Sequence, residues 1–256
     1  MDLIKTKEQI GIMAEGGRRL GVVLKELRRE VRPGITTKEL DRIARLRIEA
    51  GGDKPAFLHY RPAGAAKAYP YTLCSSVNDV VVHGQPSGYV LREGDIVKLD
   101  LGLRHEGLYL DAAITVFVGP ASAFRKEVRT LLAATEDALY AGIAVAKPGN
   151  RLGDIGYAIE RVARKAGVSV ADGLTGHGIG ESLHEEPSVF NYGEKGTGMI
   201  LKEGMVLAIE PMFTLGGGEI VQLRDESYGT EDRSWAAHFE HTIAITAKGP
   251  KILTAA

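Results

Sequence analysis

Glu93-Gly-Asp-Ile-Val-Lys-Leu-Asp100 and Glu203-Gly-Met-Val-Leu-Ala-Ile-Glu210 align without a gap, each a Glu-Gly turn, an apolar run and a closing acid. The match extends in both directions. Upstream, a helical pattern, Arg32-Pro33-Gly34, a second helical pattern and a glycine stop recur as a helical pattern, Lys147-Pro148-Gly149, a helical pattern and a glycine stop. Each series then has a His-Gly pair, His83-Gly84 and His177-Gly178, and each places a further acid in the following strand, Asp111 and Glu240. A self-similarity whose period is about half the chain points to a pseudo-two-fold domain rather than a solenoid. The expected architecture is α+β, one domain over 1–256 with halves of roughly 1–120 and 121–256, an antiparallel core flanked by two helix pairs.

The local signals fit that plan. Thr6-Lys-Glu-Gln9 is a capping box, and Ile10, Met13, Gly17, Leu20, Leu24, Leu27 and Val31 step by three and four behind it. Thr36 caps a second helix that ends at Gly51-Gly52. A long helix is expected from about Ser122 to Ala146, and another through Ile155, Ile159 and Val162 to Gly167. Residues 53–72 read as an irregular aromatic loop, 216–234 as a polar glycine-containing segment, and His238–Thr246 as one alternating strand. Glu93–Gly102 and Leu108–Val118 form a hairpin. Centred between His105 and Glu106, it would set Asp100 directly opposite Asp111. Two solvated aspartates on a wet sheet face are the plain alternative. Against it, Asp is poor in strand interiors, and the same face carries Tyr109, Ala113 and Gly102.

Composition narrows the class. Hydrophobic residues make up 44 % and charged residues 25 %, as in ordinary globular chains, and the formal charge of −1 gives no general reason for nucleic acid or an anionic membrane as partner. A single cysteine excludes an internal disulfide and a thiolate zinc cluster. With no signal-peptide pattern and no long uncharged apolar run, a cytoplasmic location is expected.

The repeat carries the chemistry. Equivalent residues meet near a pseudo-axis, so Asp100, Asp111, Glu210 and Glu240 would converge among apolar strands, where uncompensated carboxylates are strongly unfavourable. Two divalent cations would balance them, with His177 adding a neutral nitrogen. Oxygen donors with one imidazole suit Mn, Fe(II) or Co, and Zn is compatible. Two such ions activate water and polarise a carbonyl, the layout of two-metal hydrolases and aminopeptidases. The glycines of Thr175-Gly-His177-Gly-Ile-Gly180-Glu-Ser-Leu-His184-Glu-Glu-Pro187 are expected to let a loop pass close to metals and peptide.

With these residues in place, the chain resembles the type I methionine aminopeptidases of the pita-bread fold over nearly its whole length. The matching segments are Lys5–Ile10, Cys74-Ser-Ser-Val-Asn78 through His83-Gly84, the Asp100 and Asp111 hairpin, His177-Gly-Ile-Gly with His184-Glu-Glu-Pro, Ile209-Glu-Pro-Met212 and Phe239-Glu-His-Thr242. The resemblance implies Asp100 as chelating ligand of one metal, Asp111 and Glu240 as bridging ligands, and His177 and Glu210 as ligands of the other. His83 and His184 would contact the substrate near the scissile amide and its carbonyl, Glu210 would shuttle protons, and His184 would help stabilise the oxyanion. Phe57, Tyr60, Tyr69 and Cys74 would line the substrate pocket. The implied function is removal of the N-terminal methionine from nascent proteins by hydroxide attack at two divalent metals, by a monomer working near the ribosome. The short bacterial form, without an N-terminal zinc-binding extension, is expected.

Departures fall in the pocket. Phe57 stands where the family has a small residue or cysteine, Tyr69-Pro70 arrives late because of Arg61–Lys67, Ser227-Tyr228 replaces a pocket tryptophan, and His238 replaces a glutamine. Selectivity for another N-terminal residue or for an X-Pro peptide is therefore the alternative activity. A metal-free binding protein on this fold would be expected to have lost ligands, and a Cys74/His83 nucleophile is the remaining alternative.

Overall fold

The computed structural model describes residues 3–61 and 67–255; most of the segment expected to delay Tyr69, residues 62–66, lies outside them. The first series of elements runs α1 (Lys7–Glu30), α2 (Thr37–Ala50), β1 (Lys54–Pro55), β2 (Leu73–Val77), β3 (Val80–Val82), β4 (Ile96–His105) and β5 (Leu108–Phe117). The second begins with α3 (Lys126–Val145), α4 (Leu152–Ala166), β6 (Ser169–Val170), β7 (Thr175–Gly178), β8 (Glu185–Phe190) and β9 (Val206–Ile209). It ends with β10 (Met212–Thr214), β11 (Ile220–Gln222), β12 (Tyr228–Thr230), β13 (Ala236–His238), β14 (His241–Thr246) and β15 (Gly249–Ile252).

Helix α1 starts where its capping box places it: Gln9 N–H donates to Thr6 Oγ1 at 3.1 Å and Thr6 N–H to Gln9 Oε1 at 2.8 Å. Its face of Met13, Leu20, Leu24 and Leu27 is buried against β4 and β5. Gly17 has no room for a side chain, because a Cβ there would run into the Leu253 carbonyl. Helix α3 starts later than its periodicity suggests. Ser122 lies in a 3₁₀ turn, Ala121–Ala123, and Arg125 at the cap makes no side-chain cap bond. The pairs α1/α2 and α3/α4 cover two separate hydrophobic clusters.

Strand β4 is central in the first sheet, with β5 on one edge and β2 and β1 on the other. The hairpin register is shifted from the expected one. Glu106 and Gly107 both have positive φ, 47° and 94°, the signature of a two-residue type I′ turn. His105 therefore pairs with Leu108, Asp100 with Ala113, and Asp111 with Gly102. The two aspartates share a face as expected but stand diagonally rather than opposite. Val97, Leu99, Leu101 and Leu103 fill the other face and are fully buried.

The five-stranded second sheet has the order β15-β14-β9-β7-β8. Two chain breaks lie side by side at its edge. Pro211, which lacks an N–H, separates β9 from β10, and Phe239-Glu240 separates β13 from β14, so His238–Thr246 is two strands rather than one. The register sets these breaks against each other, His241 opposite Ile209 and His238 opposite Met212. β5 then joins the halves. Ala113 and Glu240 exchange backbone hydrogen bonds, of 3.4 Å from Ala113 N–H and 2.9 Å from Glu240 N–H. On either side threonine hydroxyls take over: Thr242 Oγ1 accepts from Asp111 N–H at 3.1 Å and donates to its carbonyl at 2.7 Å. Thr115 Oγ1 does the same with His238, at 2.9 and 2.7 Å. The polar segment 216–234 contains a hairpin, β11–β12, whose second strand pairs with β3 of the first half.

Candidate metal centre

The joint of the two halves gathers the acids. Asp100 and Asp111 project from the shared face of β4 and β5, Glu210 follows the last residue of β9, and Glu240 precedes β14. Ligand atoms of Asp111, His177 and Glu240 lie within 4.8 Å of one another, and those of Glu210, His238 and Glu240 do the same. Asp100 and Asp111 are close enough to influence each other's charge. His177 sits on strand β7 rather than in a loop. Its Nδ1 is 2.8 Å from the Gly178 carbonyl, a bond that makes Nδ1 the donor and leaves Nε2 free, 3.6 Å from Glu210 Oε1. The Asn191 amide donates to the Glu210 carbonyl at 3.0 Å and fixes the backbone there.

The electrostatics demand a cation. Burial pushes Asp100 and Glu210 each up to about 7. It raises Asp111 and Glu240 well above the carboxylate range, with further elevation from the neighbouring acids. Asp100 Oδ1, Asp111 Oδ1 and Glu240 Oε1 are buried without a hydrogen-bond donor. Orphaned buried oxygens are rare in folded proteins, and here three belong to one acid cluster, of which Asp111 and Glu240 lie within reach of the His177 imidazole. Hard divalent ions take this donor set.

The acids open onto a cleft of about 1600 Å³ that His83, His184, Phe57, Tyr60, Tyr69, Cys74 and Tyr228 also line. His83 follows β3 at φ 60°; a Cβ on the next residue, Gly84, would press on Ser76 Cα, so the chain hugs β2 and turns the imidazole outward. His184 is carried on the β7–β8 turn. That turn is clamped by the buried pair of Lys5 Nζ and Glu185 Oε2 at 2.7 Å and by Ser182 N–H to Glu185 Oε1 at 2.9 Å. Tyr60 Oη lies 2.8 Å from His184 Nδ1, and the His177 and His184 rings meet edge-on at 4.5 Å. Desolvation first, then His177 and His83, hold the His184 imidazole well below its usual range, so it is neutral.

A model of metallopeptidase family M24 matches residues 11–247. The chain belongs to metallopeptidase family M24. Methionine aminopeptidase 1 of Bacillus subtilis is 42 % identical over 99 % of both chains, and the methionine aminopeptidase of Aquifex aeolicus is 46 % identical over 91 % of this chain and 90 % of its own. The crystal structure of methionine aminopeptidase from Rickettsia prowazekii superposes with a TM-score of 0.93 at 37 % identity, covering 98 % of each chain. The fold is thus the pseudo-two-fold α+β arrangement expected from the repeat and the pita-bread fold that the resemblance implied, and membership of M24 carries the use of a divalent metal and a peptide substrate. Among the described residues no helix is long and apolar enough to cross a membrane.

Besides the expected site residues, three side chains stand near the M24 centre of this chain. Tyr228, in the place of the pocket tryptophan, is edge-on to His83 at 5.7 Å. Lys98, two positions before Asp100, is fully buried and donates to the Asn78 carbonyl at 2.7 Å; burial pushes it down to about 7. His238 is buried at the back of the acids. The glycines near His177 do something other than expected. A Cβ on Gly176 or Gly178 would collide with the Ala208 or Glu186 carbonyl, so they admit β7 between β9 and β8 rather than the substrate.

Proposed function

We propose that the chain removes N-terminal methionine from nascent proteins as a metal-dependent aminopeptidase with a dinuclear centre. Asp100 would help hold one ion, His177 and Glu210 the other, and Asp111 and Glu240 would serve both; Mn, Fe(II), Co and Zn all suit these donors. The observation that carries this reading is the gathering of buried acids from both halves, three with orphaned oxygens, with Asp111, Glu240 and Glu210 beside the His177 imidazole. Bound divalent ions would supply Lewis acidity that activates the hydrolytic water and polarises the scissile carbonyl.

The protein's own groups complete the reaction. Glu210, which lines the cleft, can pass a proton from the water to the leaving amine. Tyr60 donates to His184 Nδ1, which leaves the Nε2–H of a neutral ring to donate to the carbonyl oxygen as charge develops. His83 binds the scissile amide. Phe57, packed on Gly102 and 7 % exposed, closes the floor of the pocket with Tyr69 and Cys74. Tyr69 Oη donates to the Leu73 and Gly84 carbonyls at 3.0 and 3.2 Å and so presents its ring rather than its hydroxyl. That apolar floor favours methionine. We also place the enzyme in the cytoplasm as a monomer near the ribosome, which ribosome co-sedimentation tests.

The deciding experiment is a panel of X-Gly-Met peptides assayed under Mn and under Fe(II), with a chelator control. Met-Gly-Met should be cleaved best and chelation should abolish turnover. Better cleavage of another X, or of an X-Pro peptide, would replace the specificity, and unchanged turnover in chelator would remove the metal.

A further inference from the structure

His238 is the most constrained side chain near the acids with no assigned role. Its backbone is pinned on both sides by Thr115 Oγ1, as donor and as acceptor. The ring is 2 % exposed, and neither Nδ1 nor Nε2 has a hydrogen-bond partner. Nε2 lies 3.4 Å from Glu210 Oε2 and 3.9 Å from Glu240 Oε2. A hydrogen bond to either acid would draw it to about 2.7–2.9 Å. Instead the nitrogen stands off from both carboxylates, and the three donors lie within 4.8 Å of one another. Donors that face each other across such a gap without bonding are arranged around a shared cation.

We propose that His238 Nε2 is a direct ligand of the ion held by Glu210 and Glu240, so that the centre uses two imidazoles, one on each side. This rests on the metal-centre reading above and adds a donor to it. His177 is among the described cleft residues and His238 is not. His238 therefore binds from the buried side and leaves the cleft side of the ion to water and substrate. It also gives a second imidazole nitrogen to one ion, whereas the Asp100 side remains all oxygen, so the two positions differ in the metals they prefer.

Zinc is the probe, because its bond to imidazole nitrogen is about 2.0–2.1 Å. In crystals of the zinc-loaded protein His238 Nε2 should lie at that distance from an anomalous zinc peak. In solution, zinc-edge absorption should count two coordinated imidazoles per chain, falling to one in His238→Gln and to one in His177→Gln. Zinc affinity of His238→Gln should fall about 10- to 100-fold. An imidazole outside bonding distance, or an unchanged imidazole count in His238→Gln, overturns the proposal while leaving the metal centre standing. No zinc bound by the native protein overturns both. Should His238→Gln fail to fold by circular dichroism, the crystal of the native protein decides alone.

Discussion

The two halves deliver their acids to one point by different means. In the first half Asp100 and Asp111 lie inside ten-residue strands whose ladder is unbroken on both sides of them. In the second half Glu210 and Glu240 lie at chain breaks, between strands of three to six residues. A mid-strand side chain stands perpendicular to its sheet and meets its neighbours within about 5 Å, so a short Asp suffices. At a break the backbone turns aside, and Glu has the extra methylene to reach back. The first half is therefore a rigid platform and the second an adaptable clasp, joined by the hydroxyls of Thr115 and Thr242. A divalent ion would act on both together.

If the platform matters most for bridging, Asp111→Asn should give the largest effect. Loss of groups that merely orient metal ligands costs about 10- to 100-fold, so loss of a bridging carboxylate should exceed about 100-fold in kcat/KM. Circular dichroism should remain native, because Asn keeps the shape and removes a like charge. Near-normal turnover with metal bound would break the assignment.

The next test separates acid repulsion from metal binding. The folded pKa of Asp100 is raised from 3.8 to about 7, so the folded chain binds more protons than the unfolded one across that window. Its favourable contribution is full below about 3.8 and is lost as pH rises through about 7. In chelator, the melting temperature should therefore fall from pH 5 to pH 8 by several degrees more in the native protein than in Asp100→Asn. Saturating Mn should remove most of that difference. Equal pH dependence in both proteins would show that the platform is not strained by its charge.

This contrast also explains what sequence could reveal. The acids of both halves were legible because the repeat preserves Glu-Gly, apolar run, acid, and the helix caps were legible because Thr6 and Thr36 bond locally. The hairpin turn lies one residue later than expected, which shifts the strand pairing by two, because the positive φ of Glu106 and Gly107 fixes the type I′ turn. The break at Phe239-Glu240 was hidden because alternation continues through it. The roles of Lys98 and of His238, visible in sequence only as a substitution for glutamine, were missed for a related reason: their burial depends on how the clasp meets the platform, a long-range contact that leaves no local pattern. The β11–β12 hairpin escaped because its Val221 and Gln222 are exposed and its partner β3 belongs to the other half.

A smaller effect is expected where the clasp meets the substrate. Tyr60→Phe removes the bond to His184 Nδ1 and frees the imidazole to adopt the tautomer with its proton on Nδ1. A hydrogen bond of about 0.5–1.5 kcal/mol corresponds to roughly a 2- to 13-fold fall, expected in kcat with KM little changed. A rise in KM alone would make Tyr60 a pocket wall instead.

The smallest effect belongs to Cys74, whose β2 position pairs with Asp100 on the platform. Burial, followed by the charge of Asp100, pushes its thiol well above the usual range, so it is a neutral packing group rather than a nucleophile. Cys74→Ala leaves a void of one sulfur in the pocket floor and should change kcat/KM for a methionyl peptide by less than about 10-fold, since one methylene-sized contact is worth about 0.8 kcal/mol, roughly 4-fold. Thiol-directed alkylation should be correspondingly slow until the protein unfolds. A loss as large as that of Asp111→Asn would move the chemistry from the acids to the thiol, and the comparison between platform and clasp would have to be redrawn around β2.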